Sequence, residues 1–321
     1  MGAPPPARPA GVLGVSAAET DRLGHAAASM LGSLLPRMLL PFVADSVPLP
    51  GDGTVRRAGR SVDEVLTPLI RRSGGTVAPD DIVSMLCRAR YDSGGGLDEQ
   101  QVRDDVIALV AAGTESTAIA LTWLWVMLDG HPEVAARLRD EIERVVGAGP
   151  VRRSHLPELS YTRMVLQEVL RLYPPGWLIP RTAVGPDLLG GVRIERGDTV
   201  LVSPYLTHRM PGWWERPEVF DPERFSPDRA RDRHRFAYLP FGGGPHMCLG
   251  AHLFTVEAQL VVAAVLSRYR PRRLGSRPVT PRLAASLRPR QRVLMILDPD
   301  RPGPPGRPDQ PGPPDQPGPP G

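Results

Sequence analysis

The feature that most constrains this chain is the run Phe241-Gly242-Gly243-Gly244-Pro245-His246-Met247-Cys248-Leu249-Gly250. It is a glycine-rich loop that ends in one cysteine and opens into a helical pattern from Leu249 to about Arg268. A cysteine at a helix N-terminus meets the positive end of the helix dipole, which favours the thiolate. Glycines let the backbone pass close to a flat ligand, with N–H groups free to point at sulfur. Phe241 is placed to shield that sulfur from water. Two other readings fit the same residues. One is a glycine turn before a helix, with a cysteine used for packing. The other is a phosphate-binding loop, although no Gly-Lys-Ser/Thr follows.

Two further stretches need a reason. Glu168-Val169-Leu170-Arg171 lies in a helical pattern, and its i,i+3 spacing puts Glu168 and Arg171 on one face. On a surface such a pair contributes little. Here Leu172-Tyr173-Pro174-Pro175 follows at once, and Pro222-Glu223-Arg224-Phe225 comes later in a run rich in Pro, Trp and charge. The second stretch, Ala112-Gly113-Thr114-Glu115-Ser116-Thr117, puts polar side chains in the middle of the longest apolar helical pattern. Core helix centres normally stay apolar. Hydroxyls bonding back to backbone carbonyls would explain it, and so would a proton relay.

Together these motifs resemble those of the cytochromes P-450, the heme-thiolate monooxygenases. Phe241, Gly244, His246, Cys248 and Gly250 fall on that family's heme-binding signature. The resemblance implies that Cys248 is the axial ligand of a heme b iron (iron protoporphyrin IX), pushing electron density towards it to favour O–O cleavage. It implies a buried charge network of Glu168, Arg171 and Arg224, structural in role, that locks the 210–240 meander beside the cysteine loop. It implies that Glu115 and Ser116 form a proton relay in a dry pocket, with Ser116 where threonine is commoner. Neighbouring helical residues point about 100° apart, so Ser116 would face the heme and Glu115 a water path. His246 and Arg181 fall where the family binds the heme propionates, as cations for carboxylates. Ala111, Ala112, Gly176, Trp177, Leu178, Ile179, Ser286 and Leu287 would face the substrate.

Composition narrows the class. The chain has 321 residues and a net charge of +4, too small a charge to imply a nucleic-acid partner by itself. Its basic residues are all arginine. Two cysteines, Cys87 and Cys248, exclude a disulfide scaffold. Cys87 sits in an apolar helical pattern and reads as a packing residue. No charged start followed by an apolar run appears. The apolar stretch Val106–Leu128 carries Glu115 and several hydroxyls, so it reads as a core helix rather than a membrane span. The expectation is a soluble, cytoplasmic protein with no membrane anchor.

Along the chain, residues 1–15 read as a disordered leader and residues 299–321 as a disordered Pro/Gly-rich tail. Helices are expected over Ser16–Phe42 with a break at Pro36, Val55–Ser73, Pro79–Ala89, Leu97–Asp129, a following segment to Val146, and Tyr161–Leu172. Val192–Ile194 and Thr199–Val202 flank Glu195-Arg196-Gly197-Asp198 and read as a hairpin. Arg288–Leu297 reads as a final strand. The fold is therefore mainly α, a multi-helical cytochrome P-450 fold with a small β region. Family members are usually longer at the N-terminus, so residues 16–298 read as the C-terminal two-thirds of a heme domain, N-terminally truncated.

The resemblance implies a monooxygenase inserting one oxygen atom of O2 into a lipophilic small molecule. Electrons would come from a ferredoxin or flavodoxin with its reductase. The alternative is a catalytically silent heme-domain remnant.

Overall fold

The computed structural model describes residues 16–33, 36–37, 40, 43–44, 46–73, 84–86 and 99–300. The expectations for residues 1–15, for Cys87 and for the tail from residue 301 lie outside these residues. Of the helix expected over Pro79–Ala89, residues 84–86 are helical and the rest lies outside.

The fold is mainly α with a small β region, as the motifs imply. The main helices are α1 (Ala17–Ser33), α2 (Asp52–Ser73), α3 (Glu99–Gly130), α4 (Pro132–Val146) and α5 (Ser160–Leu172). Short helix α6 (Pro204–Thr207) precedes the meander, α7 (Pro227–Ala230) and a 3-10 turn at Pro222–Phe225 lie within it, and α8 (Ala251–Leu266) follows the cysteine loop.

The axis of the molecule is α3, whose 32 residues extend roughly 48 Å at 1.5 Å per residue. Its two halves serve different cores. Val102, Val106 and Val110 pack against Leu23, Ala26 and Ala27 of α1 and Ala58, Val62 and Leu66 of α2. The repeat 58, 62, 66 is one helical face. Ile119, Ala120, Trp123, Leu124 and Leu128 instead join a larger core with Leu138 and Ile142 of α4, Val165 and Val169 of α5, and Val262 and Leu266 of α8. Each buried Val, Leu or Ile among these contributes about 1.5–3 kcal/mol by leaving water. Residues 100–130 and 244–266 are long and apolar enough to cross a membrane by length and composition. In this fold they supply residues to these cores.

Helix α3 stops where Gly130-His131-Pro132 begins α4, with Pro132 at the first helical position, where its missing N–H costs nothing. The N-terminus of α5 lacks a cap of its own. Glu141 of α4 supplies it, accepting from the N–H groups of Tyr161 (2.7 Å) and Thr162 (2.8 Å). A carboxylate there satisfies orphan donors and meets the positive helix end.

The strands form four two-stranded antiparallel sheets: β1 (Ile179–Thr182) with β4 (Thr199–Val202), β2 (Asp187–Leu189) with β3 (Val192–Ile194), β5 (Tyr269–Arg273) with β8 (Met295–Pro299), and β6 (Pro281–Leu283) with β7 (Leu287–Pro289). This corrects two expectations. Val192–Ile194 does not pair with Thr199–Val202. It pairs with β2 through Gly190-Gly191, whose φ values of +57° and +84° make the two-residue turn that suits a tight hairpin. The expected single strand over Arg288–Leu297 is parts of two strands in different sheets. Residue 299 is the end of β8, pairing with Tyr269, rather than the start of a tail.

Candidate functional site

Cys248 ends the glycine loop two residues before the N-cap of α8, Gly250. Gly242 and Gly244 have φ values of +74° and +75°, so the turn requires residues without a Cβ. The Cys248 N–H donates to the Phe241 carbonyl at 2.9 Å, which closes the loop. Phe241 is held in turn by its ring contact with Phe254 of α8, with centroids 5.7 Å apart. The Cys248 side chain is exposed. Its neighbours Met247, Leu249 and Leu253 are 58%, 87% and 58% exposed. Apolar side chains gathered about one exposed thiol mark a surface for a flat apolar ligand. Among the described residues no group of three or more His, Cys, Asp or Glu side chains could share a metal ion. A lone sulfur suits an iron whose other ligands come from a macrocycle, so the residues present fit a heme.

His246 closes the 3-10 turn Gly244–His246 and is exposed. Arg181 is exposed on β1, and its Nη1 donates to the Pro180 carbonyl at 2.9 Å. Both side chains are exposed and could meet an anionic ligand.

Glu115 and Ser116 lie on α3, beside the exposed Ala112, Gly113 and Thr114. The Ser116 hydroxyl donates to the Ala112 carbonyl at 2.5 Å, the back-bonded arrangement. Glu115 is placed differently from the expected water path. Its Oε1 accepts from Arg288 Nη2 on β7, and only 10% of its side chain is exposed. Burial pushes its carboxyl above the usual carboxylate range, and the Arg288 guanidinium pulls it back.

The third constellation is fully enclosed. Arg171 donates from Nε and Nη2 to the two oxygens of Glu168 at 2.7 and 2.8 Å. Its Nη1 reaches the carbonyls of His208 and Pro217, and Nη2 that of Val219. Arg224 lies 3.5 Å from Glu168 and donates to the Arg216 carbonyl. Burial pushes the Glu168 carboxyl above the usual carboxylate range, and the hydrogen bonds and charge of Arg171 oppose that rise. Sequence reasoning missed His208 beside this network. Its ring accepts from the Leu239 N–H at Nε2, 2.9 Å, so Nδ1 carries the proton and donates to the Arg171 carbonyl at 3.1 Å. His208 thus joins α5 to the backbone leading into the cysteine loop.

The 281–289 hairpin is pinned over this region. Trp123 Nε1 donates to the Leu287 carbonyl at 3.0 Å, Trp177 Nε1 to that of Ala284 at 2.7 Å, and the Leu287 N–H to that of Pro175 at 3.0 Å. Leu287 is fully buried, so it is a packing residue rather than one facing a substrate. A separate groove between α1 and α2, lined by Asp21, Arg22, His25 and Arg57 among others, shares no residue with these motifs.

The family model described as cytochrome P-450 matches residues 11–295. The chain belongs to the cytochrome P-450 family. This P-450 chain is 42% identical to cyclooctatin synthase of Streptomyces melanosporofaciens over 64% of its own length and 45% of that protein. It is 36% identical to the same organism's cyclooctat-9-en-7-ol 5-monooxygenase, over 81% of its length and 57% of that protein. It is 35% identical to pentalenene oxygenase of Streptomyces avermitilis, over 78% and 56%. The chain thus spans about half the length of these curated relatives. Its fold matches the crystal structure of a cytochrome P-450DA mutant heme domain with a TM-score of 0.75. That match is at 23% identity and covers 86% of this chain and 61% of the other.

Proposed function

We propose that this chain acts as a heme-thiolate monooxygenase on a lipophilic small molecule, with heme b as cofactor. The observation that carries the reading is the exposed Cys248 thiol, set by left-handed glycines among exposed apolar side chains. Cys248 would hold the iron. His246 and Arg181 would hold the two propionates, and Phe241 would keep water from the sulfur. Gly250 lies against the sulfur, where a Cβ would make ordinary contact at 3.7 Å. The group supplies O2 activation at a thiolate-ligated iron.

The chain's own residues supply order and protons. Glu115 takes up and gives back a proton within reach of a dry pocket. Ser116, released from the Ala112 carbonyl, would accept that proton at Oγ and pass on its own. Ala111, Ala112, Leu178 and Ile179 would give a substrate pocket an apolar wall, in keeping with a lipophilic substrate. The relatives' names, which pair oxygenases with cyclooctat-9-en-7-ol and with pentalenene, agree with that class. Exposed Arg231 and Arg235, on the meander that leads to Cys248, suit an acidic electron donor such as a ferredoxin or flavodoxin. Ser116→Ala tests the relay. It should lower product formed per electron pair while substrate binding stays unchanged; unaltered coupling would sink the role given to Ser116.

A further inference from the structure

The Glu115 carboxylate has two oxygens in unlike surroundings. Oε1 accepts from Arg288 Nη2, whereas Oε2 is buried and has no hydrogen-bond partner. Arg288 Nε is likewise buried without a partner. Such groups are costly unless something uses them. The two residues lie 173 positions apart, on different elements. Arg288 sits on a hairpin whose neighbouring residue is tied to α3 by Trp123, so the guanidinium is held at a fixed place over Glu115. Among the described residues Arg288 is the charged group that acts on this carboxyl, from α3 or from any element packed on it.

We propose that Arg288 is a positioning residue for Glu115: it anchors one carboxylate oxygen, leaves the other as the oxygen that gains and loses the proton, and sets how readily it does so. This rests on the relay reading of Glu115. In the resting arrangement Oε1 and the guanidinium form an ion pair. When fluctuation of the site admits a hydronium ion, its proton adds to Oε2 and makes the neutral acid while water leaves; transfer of the proton onward restores the carboxylate, so each cycle leaves the pair as it began. The anchored oxygen keeps the carboxyl group from swinging while the proton moves. A hairpin that also borders the 175–177 segment thereby controls the acid strength of a side chain on α3.

The test uses the full chain without heme, so it stands apart from the success of heme loading. The carboxyl infrared band lost in Glu115→Gln identifies the protonated side chain, and its pH titration is followed in variants. Arg288→Met removes the charge and should move the midpoint to higher pH, whereas Arg288→Lys should keep it near the parent value. Should Arg288→Met not fold, Arg288→Gln gives the same reading with less loss of volume. A midpoint that does not move in the neutral variants overturns the proposal. With heme loaded, Arg288→Gln should move the pH profile of product formed per electron pair in the same direction. That movement should vanish in the Glu115→Gln background; its persistence there would also overturn the assignment.

Discussion

Arg171 and Glu168 meet through two hydrogen bonds of 2.7 and 2.8 Å with neither side chain exposed. The pair is more than a local i,i+3 contact. Arg171 spends its remaining donors on carbonyls of the meander, at His208, Pro217 and Val219. Glu168 also accepts from the Asp221 N–H at 2.9 Å. An exposed pair at this spacing would be nearly worthless; an enclosed one organises a region with little periodic structure of its own.

Glu168→Gln leaves two guanidiniums buried without a counter-ion and should cost about 3–5 kcal/mol in urea unfolding. Arg171→Lys should destabilise by a similar order, because a point charge cannot reach the carboxylate and three carbonyls together. Loss below about 1 kcal/mol in both would contradict the network's role.

His208 gives the fold an acid limit. Burial holds its imidazole at about 4, against an ordinary 6.5. Between those values the unfolded chain binds a proton that the folded chain refuses, so stability falls as pH drops through this window and is flat above it. The full effect is about 3 kcal/mol at 1.36 kcal/mol per unit. His208→Asn should be less stable at pH 7, having lost two ring hydrogen bonds, yet should show a shallower decline from pH 6.5 to 4. Equal slopes in parent and variant would exclude His208 as the source.

How far the sequence carried the account depends on the range of each interaction. The cysteine loop and α3 were legible because their signals are local: glycines at left-handed positions, and apolar residues repeating until Gly130-His131-Pro132. Gly190-Gly191 was an equally local signal for β2–β3, yet Val192–Ile194 and Thr199–Val202 looked like natural partners. Pairing is decided across the sheet, where Ile179–Thr182 claims β4. His208 gave no local sign at all. Its partners Arg171 and Leu239 are 37 and 31 residues away. Arg288 is one arginine among several in its strand region, and only the fold brings it to Glu115.

Trp123 links the helical core to the hairpin above it. Its ring stacks on Tyr173 at 3.8 Å with an interplanar angle of 8°, and its N–H satisfies the Leu287 carbonyl. Trp123→Phe preserves stacking but strands that carbonyl, at a cost of about 1–3 kcal/mol. Hydrogen exchange should show faster opening of residues 281–289 than of α5. Uniform acceleration across both would mean that the tryptophan serves the core alone.

The most direct test of the central claim is the absorption spectrum of the full chain, supplied with heme, reduced and exposed to carbon monoxide. A thiolate on the iron predicts the red-shifted band that distinguishes sulfur from nitrogen ligation, present in the parent and lost in Cys248→Ala. A parent spectrum without that band, or a band that survives in Cys248→Ala, would contradict the assignment of Cys248 as the iron ligand.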